Sequence, residues 1–184
     1  MTIIGIDPGS ISCGYGIIEI SQDGFFVIEF GLIKPNEKSQ NFNFIDRLKN
    51  LYDNITSILT RYKVIETAIE TQFYHKNAQS LMKLTQARTS IELASLNLNI
   101  PVFEYSPREV KLSVTGNGNA SKKSVSYMVS SILQIDLQNH KFDVSDALAV
   151  ALCHISRKGN ILKRNSPRNW REFVALNPDK IINP

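Results

Sequence analysis

TIIGIDPGSISCGYGIIEISQDGFFVIEFGLI, residues 2–33, decides the fold. Thr2–Asp7 is a short apolar run closed by Asp-Pro-Gly, the pattern of a buried strand ending in a turn. Gly14–Ile20 and Gly24–Ile33 are rich in β-branched and aromatic residues. Between them Ser21, Gln22, Asp23 and Gly24 give the signal of a hairpin loop. Three strands therefore open the chain, and we expect an antiparallel meander.

The period then changes. Phe44, Ile45, Leu48, Leu51, Tyr52, Ile55, Ile58 and Leu59 recur at helical spacing, which predicts a helix over Phe44–Tyr62. Val64–Glu70 (VIETAIE) reads as the next strand and Pro101–Tyr105 (PVFEY) as another. Between them Asn77–Leu98 reads as a long helix, with Leu81, Leu84, Ala87, Ile91 and Ala94 as its apolar stripe. Ser106-Pro107-Arg108-Glu109 is a helix start: a serine cap, proline in the first position and glutamate in the third. After the loop TGNGNAS (115–121), Ser121–Leu133 and Asp143–Arg157 complete the series. The order β-β-β-α-β-α-β-α-α-α predicts an α/β protein: a mixed five-stranded sheet flanked by helices. The one candidate boundary lies near Arg157, separating 1–156 from an extension, 157–184.

The charge distribution marks the same place. Residues 1–156 hold 14 Lys and Arg against 15 Asp and Glu, whereas 157–184 hold 7 against 2. A nearly neutral body thus carries a basic tail. Such a tail either meets phosphates or is solvated, and Trp170, Phe173 and Val174 also suit docking onto the body. The chain has 184 residues and is 42% hydrophobic, enough to bury a core. No run of about 18 apolar residues suggests a membrane span. The first residues lead directly into a strand without a signal-like segment, so a cytoplasmic protein is expected. Cys13 and Cys153 form no metal-binding pattern and suit a reducing compartment; Cys153 is expected inside an apolar helix.

The chemistry rests on acids. Asp7 ends an apolar strand, where a carboxylate is costly to bury unless it is paired or meets a cation. Alone it equally suits a turn aspartate capping the Pro-Gly bend. Glu70 repeats the situation at the end of VIETAIE, and alone it suits a solvent-facing strand terminus. Asp143 and Asp146 are spaced i, i+3, which sets both on one helix face. Acids there also suit the dipole of a helix N-terminus. Strand ends and a helix N-terminus converge at one edge of an α/β sheet, and together the four ask for one cause. Oxygen donors favour Mg²⁺ or Mn²⁺. Two such ions about 4 Å apart activate water and stabilise the leaving oxygen of a phosphodiester. His75, His140 and His154 are scattered and read as structural or surface residues.

GIDPGSISCGYGII, AIETQFYHKNAQSLMKLTQARTSIELA, PVFEYSPREVK and DVSDALAVALCH together resemble the RuvC-type Holliday-junction resolvases, colinearly over residues 2–156. KNAQSLMKLTQAR and the AIE strand before it are the most specific segments. The resemblance implies a ribonuclease-H-like fold and a homodimer that cuts four-way DNA junctions with Mg²⁺, two ions per subunit. It implies symmetric nicks of like polarity with sealable ends, and a branch-migration motor of the RuvA and RuvB type as partner. The metal-binding acids it implies are Asp7, Glu70, Asp143 and Asp146. Lys111 and Lys122 match basic positions near the scissile phosphate, and Lys123 adds a neighbouring charge. Phe73 matches a residue that stacks on opened bases. Tyr74 supplies a second aromatic, although Tyr74 and His75 depart from the family pattern. Nothing in the extension matches.

Two alternatives use the same residues. One is another ribonuclease-H-like nuclease with a different nucleic-acid substrate. The other is a junction-binding protein without catalysis, against which the presence of all four acids argues. An actin-like ATPase, suggested by GIDPGS, needs a duplicated domain and more than 184 residues.

Overall fold

A computed structural model describes residues 1–9, 11–22, 24–34, 43–71 and 77–158. The expected meander is present: β1 (Thr2–Asp7), β2 (Cys13–Ser21) and β3 (Gly24–Ile33) pair antiparallel in sequence. Helix α1 (Phe44–Arg61) leads to β4 (Glu66–Glu70), and α2 (Ala78–Asn97) to β5 (Val102–Tyr105). Helices α3 (Pro107–Thr115), α4 (Lys122–Leu133) and α5 (Phe142–Lys158) follow. The sheet order is β3-β2-β1-β4-β5, with β4 parallel to both β1 and β5. This is the mixed five-stranded sheet the sequence predicts.

Local chemistry sets the element ends. Asn43 and Asp46 cap α1 reciprocally, each side chain accepting from the other residue's backbone N–H. Ser106 and Glu109 do the same for α3, which closes at Gly116 with φ 73°. Strand β4 starts at Glu66, two residues later than expected. The Val64 N–H is still bonded to the Leu59 carbonyl, and Lys63 turns the chain at φ 50°. Ile45 keeps the spacing of the α1 stripe but is 67% exposed.

Helices cover both faces of the sheet. One core joins Ile4, Ile6 and Ile17 to Leu51, Ile55 and Leu59 of α1 and to Ala87, Ile91 and Ala94 of α2. The other joins Ile3 and Ile18 to α3, α4 and the central turns of α5, which are buried from Ala147 to Ile155, with Cys153 inside it as expected. Helix α5 lies unusually close to the strands. A Cβ on Gly5 would stand 2.2 Å from the Ala147 carbonyl oxygen, and one on Gly14 2.0 Å from that of Asp143. Any side chain at either position would lift the helix N-terminus away from the sheet edge. At the other end of α5, buried His154 joins Tyr105 Oη (2.7 Å) to Glu66 (2.8 Å), a structural role.

Candidate active site

The parallel pairing of β1 and β4 brings the first two acids together. The last paired couple is Ile6 and Ile69, and Asp7 and Glu70 are the next residue on each strand. The first turns of α5, held down over Gly5 and Gly14, add Asp143 and Asp146. All four carboxylates line one cleft of about 440 Å³. Lys111 of α3 and Lys122 of α4 line it too, with Ser12 from the turn between β1 and β2. Lys123 is exposed and lies outside the cleft lining. Phe73, Tyr74 and His75 fall outside the described residues.

The acids disturb one another. Burial, then the charges of Glu70 and Asp146, push the Asp7 carboxyl up to about 8. Burial and then Asp146 push Glu70 up to about 7, against the pull of Lys122 and Lys111. Lys122 Nζ meets Asp146 Oδ2 at 2.6 Å. Burial opposes the Lys122 ammonium, but the Asp146 hydrogen bond and the surrounding carboxylates outweigh it and raise its pKa. Asp143 Oδ2 accepts from Ser12 Oγ at 2.5 Å. Among the described residues no three acid, imidazole or thiol groups stand close enough together to hold a metal ion as they are.

Burial, and after it the crowding of four carboxylates around two lysines, raises the carboxyl pKa values of Asp7 and Glu70. The donors lining the cleft are carboxylate and hydroxyl oxygens, with no histidine or cysteine. That set fits a hard divalent cation and not zinc. The four acids and the two lysines singled out in the sequence, the lysines through the family resemblance, all line the cleft. Sequence reasoning missed Ser12, whose partner lies 131 residues away and leaves no spacing signal.

The family model for the crossover junction endodeoxyribonuclease RuvC matches residues 3–154. The chain belongs to the RuvC family. A RuvC relative from Chloroherpeton thalassium is 43% identical, over 99% of this chain and all of its own length. The solved Thermus thermophilus RuvC is 27% identical with a TM-score of 0.75, covering 86% of this chain and 97% of that one. A second Thermus thermophilus RuvC structure, in complex with a Holliday junction substrate, is 25% identical with a TM-score of 0.74, covering 86% of this chain and 96% of that one. The RuvC fold is the ribonuclease-H-like arrangement of sheet and helices found here. Among the described residues no helix is long and apolar enough to cross a membrane.

Proposed function

We propose that this chain resolves four-way DNA junctions in recombination and repair, cutting two strands symmetrically by metal-assisted phosphodiester hydrolysis. What supports this most is the one cleft in which two strand ends and one helix N-terminus converge four carboxylates beside two lysines, in a RuvC-family chain. In this reading Asp7, Glu70, Asp143 and Asp146 hold Mg²⁺, two ions per subunit, with Mn²⁺ as a substitute. Mg²⁺ bound there supplies an activated water and charge stabilisation for the leaving oxygen. Lys111 and Lys122 face the scissile phosphate and neutralise it. Lys123, Phe73 and Tyr74 serve DNA binding, the aromatics by stacking on bases splayed at the crossover. The nuclease unit is residues 1–156, with 157–184 as a basic extension, and the protein works in the cytoplasm. Family membership supports a branch-migration motor of the RuvA and RuvB type as its partner.

Two equivalent cuts need two equivalent sites about a two-fold axis. Helix α2 supports a homodimer because it is apolar on two sides. Ala87, Ile91 and Ala94 face the core, while Met82 (64% exposed), Leu93 (49%) and Leu96 (56%) form a stripe on the opposite side. We assign that stripe to the two-fold contact.

The test is incubation of the purified protein with a synthetic four-way junction, a linear duplex and an RNA–DNA hybrid, with Mg²⁺ and with EDTA. Paired nicks of like polarity on the junction, only with metal, are expected. Equal cutting of duplex or hybrid would favour a different nuclease of this fold. Binding without any cutting would favour a junction-binding protein.

A further inference from the structure

We propose that Ser12 is a positioning residue that orients Asp143 for the divalent cation. The inference rests on the metal reading above and adds to it a residue from outside the acid set. The Ser12 hydroxyl donates to Asp143 Oδ2 at 2.5 Å, the short distance of a charge-assisted bond. It uses one lone-pair direction of that oxygen and fixes the carboxylate's rotation, leaving Oδ1 for the cation.

Ser12 is itself held on both sides. A Cβ on Gly9 would stand 1.8 Å from the Ser12 carbonyl oxygen, so the turn folds back tightly onto the serine. On its other side Gly14 presses against the Asp143 carbonyl, which locks the start of β2 to the start of α5. The hydroxyl and the carboxylate are thus carried by two backbones in fixed contact. Of the four acids, Asp146 is oriented by Lys122 and Asp143 by Ser12. The lysine competes with a cation for its carboxylate, whereas a neutral hydroxyl does not. Ser12 therefore organises a ligand without adding charge to the site, the way outer hydrogen bonds tune metal ligands elsewhere.

The experiment uses the full chain without DNA and follows thermal stabilisation as Mg²⁺ is added, for the parent, Ser12→Ala, Ser12→Thr and Asp143→Asn. Ser12→Ala should raise the Mg²⁺ midpoint about tenfold, the scale of losing an outer partner of a metal ligand. Ser12→Thr, which keeps the hydroxyl, should restore it. Junction cleavage by Ser12→Ala should recover when Mg²⁺ is raised to saturation. An unchanged midpoint in Ser12→Ala overturns the inference, even if its metal-free melting temperature falls, because that would be a purely structural role. A raised midpoint that Ser12→Thr does not restore overturns it as well. If the parent itself shows no Mg²⁺ stabilisation, the metal reading fails and this inference with it. If the parent responds, Asp143→Asn does not, and Ser12→Ala matches the parent, only the role of Ser12 fails.

Discussion

Replacing Asp7 by asparagine should make the metal-free protein more stable. Folding pushes the Asp7 carboxyl from its ordinary 3.8 up to about 8. A carboxyl raised in this way binds more protons folded than unfolded. The stability tied to that difference is complete below 3.8 and is lost as pH rises towards 8. At pH 7 about three pH units of the interval have been crossed, and each is worth about 1.4 kcal/mol, which sets an upper bound of about 4 kcal/mol. Asp7 is partly exposed at the floor of an open cleft, so water screens part of this and about 2 kcal/mol is a fairer expectation. Asparagine has nearly the same shape and never ionises. In EDTA at pH 7 the variant should melt higher by roughly 4–8 °C, at about 2–4 °C per kcal/mol for a chain of this size. The gap should close by pH 4 and widen towards pH 8. Scanning calorimetry or thermal fluorescence across pH 4–8 measures it. Mg²⁺ should stabilise the parent strongly and the variant weakly. A variant less stable than the parent at pH 7, or a gap independent of pH, would refute the burial and crowding of the Asp7 carboxylate.

Other outcomes separate the basic residues and the assembly. Lys122→Met should slow junction cleavage at saturating Mg²⁺ by about a hundredfold, the scale of losing one donor to a charged transition state, with junction binding in EDTA largely kept. Lys123→Met, outside the cleft, should instead weaken binding and its salt dependence while leaving the rate at saturation nearly unchanged, as electrophoretic shift and single-turnover assays would show. Leu93→Glu with Leu96→Glu places charge on the outer stripe of α2 and should convert a dimer to monomers by light scattering, with loss of paired nicking. An unchanged mass would remove α2 from the two-fold contact.

The sheet was legible because its strands carry undiluted β signals. Residues 2–33 show three β-rich runs divided by a Pro-Gly turn and a glycine hairpin, and all three strands formed in that order. Element ends were less legible because they are decided by hydrogen bonds and caps. Val64 looked like strand by side chain but spends its N–H on Leu59, and Ile45 kept helical spacing yet stays exposed. The four acids could be named from strand ends and an i, i+3 pair, since topology gathers such positions at one edge. What the sequence hid is how closely α5 approaches. Nothing about Gly5 or Gly14 by itself says that a helix backbone from far along the chain rests on it. The same blindness hid the partners: that Asp146 turns to Lys122 and not Lys123, and that Asp143 takes its hydrogen bond from Ser12. On α2 periodicity located the core stripe in part, but Leu81 and Leu84 are only partly buried, and Leu84 lines the cleft instead.

Anomalous diffraction from crystals soaked in Mn²⁺ tests the metal center most directly. Peaks are expected in the cleft, within bonding distance of Asp7, Glu70, Asp143 and Asp146, with the Lys122 ammonium moved off Asp146. Saturating Mn²⁺ that leaves the cleft without a peak, or a peak bound by none of these four carboxylates, would contradict it.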